Sequence, residues 1–153
     1  MVVGNVDLVE LLTTYQGRIN RAKYWIALLC FVVIDVALVV LGFILGILGS
    51  VGGYLMILIS VVVYIALIVA GVFVGIKRLH DRDKSGWWLL LFMLAPGILG
   101  GLAFMVGGFL ATLLSLASLG VWIWMIVELG CLPGTRGSNL YGPDPIPNTM
   151  PAE

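Results

Sequence analysis

The feature that most constrains this chain is a run of 43 residues, Trp87 to Leu129, in which Glu128 carries the only charge. As one α-helix the run would be about 65 Å long, at a rise of 1.5 Å per residue. The hydrocarbon core of a bilayer is about 30 Å thick, so the run must fold back on itself. The candidate break points contain helix-breaking residues: Pro96-Gly97, Gly100-Gly101 and Gly107-Gly108.

Composition places the whole chain in the same class. Of 153 residues, 61% are hydrophobic and 10% are charged, whereas about 25% of a soluble domain is charged. The sequence therefore predicts an all-α, polytopic membrane protein with four transmembrane helices arranged as two hairpins. We place the helices at about 24–47, 54–76, 87–105 and 109–129, within a transmembrane domain of residues 24–130. The net charge is zero, which argues against a nucleic-acid partner.

A short amphipathic helix is predicted before the first span. Within residues 5–16, one side of a helix would carry Val6, Leu8, Val9, Leu11, Leu12 and Tyr15. Gly17 would end this helix, and about three turns are too few to cross a bilayer. The helix would lie on the membrane surface or pack against the cytosolic loops of the protein itself, and the sequence leaves both possibilities open.

The distribution of basic residues predicts the orientation. With four spans, one side of the membrane holds all eight: Arg18, Arg21, Lys23, Lys77, Arg78, Arg82, Lys84 and Arg136. The positive-inside rule assigns that side to the cytosol, together with the N-terminal segment 1–23 and the Pro/Gly-rich tail 131–153. Aromatic residues at two helix starts are predicted to lie at the interface as anchors: Tyr24, Trp25, Trp87 and Trp88.

These charges suggest a cytosolic basic face, composed of Arg18, Arg21, Lys23, Lys77, Arg78, His80, Asp81, Arg82 and Arg136. Such a face could bind anionic lipid headgroups or an acidic patch of a partner protein, or it could serve topology alone. The leading hypothesis is a membrane binding or scaffold protein. Pairs of small residues three positions apart, such as Gly42 and Gly46, would let helices pack closely within a bundle or a homo-oligomer.

Specific ion pairs are predicted within this face. Lys77 and Asp81 are four residues apart on an extension of the second span, where they would pair. Glu128 would pair with Lys77 and Arg78 and so connect the two hairpins. Ser85 is predicted to cap the third span.

The residues around His80 allow a metal site to be considered. His80, Asp81 and Asp83 could supply ligands, but the basic residues around them disfavour a hard cation. No metal or cofactor is predicted, and no catalytic motif is present in the sequence. A membrane enzyme that acts on a lipid-linked substrate near His80 and Asp81 is the least favoured alternative.

Asp35 is the single residue that most suggests a specific role, because its position in the first span is near the bilayer midplane. The same depth in the other spans holds Tyr64, Ser115 and Ser118, so we predict a polar layer there. The layer could hold the helices together through hydrogen bonds. Alternatively, Asp35 could belong to a proton or ion path in a small channel or transporter.

Three segments together resemble a known family. They contain Gly17-Arg18 with Arg21, Tyr24 and Trp25; Lys77-Arg78-Leu79-His80-Asp81 with Ser85-Gly86-Trp87-Trp88; and Cys131-Leu132-Pro133-Gly134-Thr135 with Gly137, Asn139 and Tyr141-Gly142-Pro143-Asp144-Pro145. In this order they resemble the DUF805 family of small bacterial inner-membrane proteins. The resemblance implies a multi-pass plasma-membrane protein whose family has no established biochemical role.

Overall fold

The computed structural model describes residues 8–146. It contains five α-helices within that range: α1 (Leu8–Thr13), α2 (Arg21–Gly46), α3 (Gly49–Asp81), α4 (Trp88–Val106) and α5 (Gly108–Ile126). A π-helix, Val127–Cys131, continues α5. Four helices are long and apolar enough to cross a membrane, which confirms the predicted all-α fold with four spans. They form two hairpins, α2 with α3 and α4 with α5.

The helix ends differ from the predicted ones where glycine makes the turns. Only Ile47 and Leu48 separate α2 from α3, and Gly49 at the turn has a φ of 62°, a left-handed value that suits glycine. α3 therefore starts five residues before the predicted residue 54. It has 33 residues and is about 50 Å long, so it extends well beyond a bilayer core of about 30 Å.

The second hairpin turns at Gly107 and not at the proline. Gly107 and Gly108 have φ values of 65° and 60°, and α4 and α5 meet there. Pro96 lies inside α4. Proline removes one backbone donor, but transmembrane helices tolerate this when neighbouring groups satisfy the backbone. The carbonyl that loses its helical donor is that of Phe92. The Ser118 hydroxyl of α5 donates to a different group, the Pro96 carbonyl oxygen, at 3.2 Å and so connects the two helices.

The N-terminal helix α1 ends at Thr13, three residues before the predicted end at Gln16, and it packs on the protein itself. Leu11 is 4% exposed and belongs to the hydrophobic core, whereas Val9 is 70% exposed. Of the two positions considered for this helix, the structure therefore shows packing against α3. Val6 and the rest of residues 1–7 lie outside the described residues, as do residues 147–153 of the predicted tail.

The hydrophobic core lies at one end of the hairpins, where α2 begins and α3 ends. Its most buried members are Ala27, Val74, Leu79, Phe92 and Leu129. The two hairpins meet at this end, where Leu89 lies so close to Gly75 that a Cβ at position 75 would require the Leu89 methyl groups to shift. We call this end of the molecule the motif end, because the three sequence segments of the family resemblance lie there.

Candidate functional site

A fully buried arginine organises the motif end. Arg78 near the end of α3 is 0% exposed, and its Nε donates to the Leu129 carbonyl oxygen at 2.6 Å. The other two guanidinium nitrogens donate to the Ile19 and Leu132 carbonyl oxygens and to the Asp81 carboxylate. A buried guanidinium needs partners for its donors, and Arg78 finds them on three separate segments. One side chain therefore connects the start of α2, the end of α3 and the π-helix.

Asp81 is shared by two arginines. Its Oδ2 accepts from Arg78, and its Oδ1 accepts from Nε and Nη2 of Arg18 at 3.2 and 3.1 Å. Arg18 donates further to the carbonyl oxygens of Thr135 and Gly137 at 2.6 and 2.7 Å. We call Arg18, Arg78 and Asp81 the arginine cluster. Within residues 8–146, no buried side-chain nitrogen or oxygen lacks a hydrogen-bond partner.

The predicted pairing of Lys77 with Asp81 is wrong. The Lys77 ammonium donates to the carbonyl oxygens of Glu10 and Leu11, at 2.9 and 2.7 Å. These residues lie in the last turn of α1, where carbonyl groups have no partner inside the helix and attract a cation. Asp81 instead forms ion pairs with two arginines, whose planar donor groups fit a carboxylate better than an ammonium does. Lys77 thus fixes α1 to α3.

Glu128 connects the hairpins, but through other partners than predicted. Its carboxylate accepts from Arg82 Nε at 3.0 Å and from Lys84 Nζ at 2.8 Å, not from Lys77 or Arg78. α3 ends at Asp81, so the loop that follows folds over the π-helix and brings its own cations to Glu128. The Lys84 ammonium also lies 5.2 Å from the centre of the Trp88 ring.

The π-helix supplies carbonyl groups that the sequence did not reveal as binding partners. Arg78 takes the carbonyl of Leu129, as described, and Trp25 Nε1 donates to Gly130 at 3.0 Å. Arg21 Nη1 donates to the carbonyl oxygen of Cys131 at 2.9 Å. These groups lie at the end of the last membrane helix, where carbonyls need external donors. The start of α2 is thereby bonded to the end of the second hairpin.

The C-terminal segment from Leu132 onward is fixed to the end of α3. Thr135 N donates to the Asp81 carbonyl oxygen at 2.8 Å, and Asn139 Nδ2 donates to that of His80 at 2.8 Å. The His80 and Tyr141 rings are stacked, with their centres 3.9 Å apart. A Cβ at Gly134 would overlap the Asp81 carboxylate, so only glycine fits there. Sequence reasoning noted this segment as turns and missed that it covers the arginine cluster.

The expectation of one exposed basic face therefore needs correction. Arg18, Lys77, Arg78 and Asp81 are buried, because their charges pair with each other and with backbone carbonyls. Arg82 and His80 are partly buried, and so is Lys23. The exposed cations of the predicted face are Arg21 and Arg136.

One of the predicted anchors differs from expectation: Tyr24 is 7% exposed and belongs to the core, so it does not face lipid. Trp88 is 38% exposed and also contacts the rings of Phe92 and Trp124. Trp87 is exposed, and Trp25 is exposed on one side while it contacts Gly130 on the other. Ser85 does not cap α4 with its side chain; its backbone carbonyl accepts from Trp88 N at 3.2 Å.

The mid-membrane polar residues do not hydrogen-bond as one layer. Asp35 and Tyr64 lie at the same level of the first hairpin, where Gly42 contacts Met56 and Gly71 contacts Phe31. Ser118 bonds to Pro96 within the second hairpin, and Ser115 is exposed on α5. The reason is the topology. The extensive helix–helix contacts are those of α2 with α3 and of α4 with α5, and α2 contacts the second hairpin mainly through the π-helix.

Two neighbouring cavities open beside the exposed cations. The first has a volume of about 490 Å³, and its polar walls include Asn20, Arg21, Thr135, Arg136 and Asp144. The second, of about 410 Å³, shares Asn20, Arg21 and Ile146 with the first and extends to Ala22, Trp25 and Gly130. We call the two together the double cavity. It lies at the start of a membrane-spanning helix, with a polar part and a part that reaches an aromatic ring.

Comparison with known proteins identifies the family. The model of a family described as protein of unknown function (DUF805) matches residues 12–143. The Escherichia coli inner membrane protein YhaH is 30% identical over 135 residues, which cover 86% of each chain. YhaI of the same organism is 28% identical over 131 residues, covering 86% of this chain and 85% of YhaI.

A third relative matches a shorter part of the chain. The uncharacterized E. coli protein YiiR is 37% identical over 79 residues, which cover 46% of this chain and 49% of YiiR. No solved structure matches the chain. The family match contains the first two segments of the motif end and the third as far as Pro143, and the chain, a multi-pass membrane protein, belongs to the DUF805 family.

Proposed function

We propose that this membrane protein binds the headgroup of an anionic phospholipid in the double cavity, as a lipid-binding scaffold of the cytosolic leaflet. The observation that carries the proposal is the contrast between its buried and its exposed cations. Arg18, Lys77 and Arg78 are buried in bonds to the protein, whereas Arg21 and Arg136 face one open cavity. The buried set makes a rigid support, and the exposed set remains able to bind an anion from outside.

The position of the double cavity favours a lipid over a soluble anion. Arg21 is the first residue of α2, so the polar part lies at the level where headgroups meet the first span. A phosphate there would also be near the first backbone N–H groups of α2, whose helix dipole attracts an anion. The second part leads to Trp25, where the glycerol and the first acyl carbons would find an apolar wall. An acidic protein surface would not need that wall.

The proposal places the motif end in the cytosol, as the positive-inside rule predicts. An arginine near an anionic membrane surface contributes about 1 kcal/mol to lipid binding. Removing both exposed arginines should therefore weaken binding by about 2 kcal/mol, which corresponds to roughly a thirtyfold higher dissociation constant.

The test is a titration of the purified protein with a fluorescent phosphatidylglycerol, in nanodiscs of phosphatidylcholine. The double variant R21Q/R136Q should bind roughly thirtyfold more weakly, and phosphatidylcholine should not compete. The matched control is K23Q, which removes a nearby cation that lines neither cavity and should cost less than about fivefold. Unchanged binding by the double variant would refute the proposal, and full competition by inorganic phosphate would show a site for a soluble anion instead.

A further inference from the structure

Asp35 lies where a carboxyl group is unfavourable. It is eleven residues beyond Tyr24, or about 17 Å along α2, which places it near the middle of a bilayer core of about 30 Å. Both Asp35 and Tyr64 are exposed on the surface of the single chain. Tyr64 lies at the same level of α3, since Gly42 contacts Met56 and Gly71 contacts Phe31 in this antiparallel pair. One neighbouring hydroxyl leaves much of the bonding capacity of a carboxyl group unused in hydrocarbon.

A groove continues from this polar pair along the first hairpin. Its volume is about 680 Å³, and α2, α3 and the turn between them provide all of its walls. The wall residues include Gly42, Gly46, Gly53, Ser60 and Tyr64. Glycine and serine on a helix surface leave room for the backbone of another helix to approach and for hydrogen bonds across the contact. The face therefore offers both a close contact and an unsatisfied polar group.

We propose that a second copy of this chain packs on the α2–α3 face, and that Asp35 and Tyr64 hydrogen-bond across the interface. The argument for a second copy is the depth of these two polar groups in the membrane. Two copies with the same orientation, related by a two-fold axis along the membrane normal, bring each residue to the same height in both chains. Asp35 and Tyr64 already share one height, because α2 and α3 are antiparallel and contact each other at Gly42–Met56 on one side of this level and at Phe31–Gly71 on the other. The second copy therefore presents a hydroxyl and a carboxyl group at the depth of Asp35, and no other partner residue has to be assumed.

The polar contact should make a measurable difference to association. A hydrogen bond between membrane helices contributes modestly, and a two-fold interface contains each contact twice. Replacing Asp35 by leucine should raise the dissociation constant of the dimer by about tenfold or more. D35N keeps a donor and an acceptor and should change it by less than about threefold. This interface is independent of the double cavity, so R21Q/R136Q should dimerise like the wild type.

The test combines cross-linking with a dissociation measurement. In a background without Cys30 and Cys131, Ser60→Cys places a thiol in the groove, and Ser115→Cys places one on the exposed face of α5 as a control. A membrane-permeant bifunctional thiol reagent should join two chains of 16.5 kDa through position 60 and not through position 115. Energy transfer between labelled chains in diluted proteoliposomes then gives the dissociation constants of the wild type, D35L and D35N.

The outcomes separate the possible occupants of the groove. A dimer through position 60 that D35L weakens and D35N preserves supports the proposal, provided that circular dichroism shows D35L to be helical. If D35L does not fold, Y64F is used in its place, and its loss of the hydroxyl should also weaken the dimer. A single chain in the bilayer, a cross-link to a different protein, or equal association of D35N and D35L would overturn it.

Discussion

Replacing Asp81 by asparagine removes the negative charge from the arginine cluster. Both carboxylate oxygens accept bonds, Oδ1 from Arg18 and Oδ2 from Arg78. In either orientation, an amide would therefore point its NH₂ group at a guanidinium. The side chains of Arg18, Arg78 and Asp81 are 1%, 0% and 3% exposed, so water cannot replace the lost acceptor without opening the structure.

The expected cost follows from the burial of these charges. Removing one partner of a buried ion pair typically destabilises a protein by about 3–5 kcal/mol, because a charge is left without compensation. D81N should lower the free energy of unfolding by that amount, which is a factor of roughly 100 to 5,000 in the folded-to-unfolded ratio. The C-terminal segment should detach first, since Thr135 N bonds to the Asp81 backbone and Arg18 holds the Thr135 carbonyl.

The assay is unfolding of the purified protein in mild detergent, followed by tryptophan fluorescence and by proteolysis of the C-terminal segment. Asp83 provides the matched control, because it is exposed two residues away and has a φ of 56°. Asparagine tolerates that left-handed backbone as well as aspartate does, so D83N should be close to the wild type. If D81N falls within about 1 kcal/mol of D83N, the arginine cluster does not hold the motif end together.

Four further changes test other contacts. R78K keeps the charge but cannot serve several carbonyl groups at once, so it should cost about 2 kcal/mol or more in the same unfolding assay. E128Q weakens two partly exposed ion pairs and should cost about 1–2 kcal/mol, less than D81N does, because water compensates more of the loss. G134A should release the C-terminal segment to protease, whereas G120A, with open space around its Cβ, should be neutral or slightly stabilising. Backbone N–H bonds lower the pKa of Asp144, so its contribution is present at neutral pH and is lost as pH falls through that lowered pKa. D144N should consequently increase protease sensitivity at pH 7 and match the wild type in strong acid.

Much of the fold could be predicted because a bilayer leaves few choices. The uncharged run from Trp87 to Leu129 exceeds the length of one span, and its turn was correctly placed between residues 105 and 109. The first turn was less predictable, since the glycine-rich stretch Gly46–Gly53 reads as a loop although most of it is helical. Glycine is compatible with a loop and with a helix, and only the packing of α3 against α2 decides that this stretch is helical.

The site was less predictable than the fold, because its partners are backbone atoms. The spacing of Lys77 and Asp81 suggested a pair on one helix, but the carbonyl groups at the end of α1 attract the lysine more effectively. Arg78 bonds to the carbonyls of Leu129 and Leu132, and no residue type in the sequence signals a free carbonyl. The three segments of the resemblance marked the correct region, and the tertiary structure decided which of its cations remain exposed.

The two short turns, Ile47-Leu48 and Gly107, lie at the end opposite the motif end. The bonds of the arginine cluster and of Glu128 are all made at the motif end. An insertion at either turn would therefore disrupt none of these ion pairs, and the turns can vary in length while the four-helix architecture is kept. Reporter domains for topology mapping would best be inserted at Gly107, while a fusion near Gly134 would separate the C-terminal segment from the helices it covers.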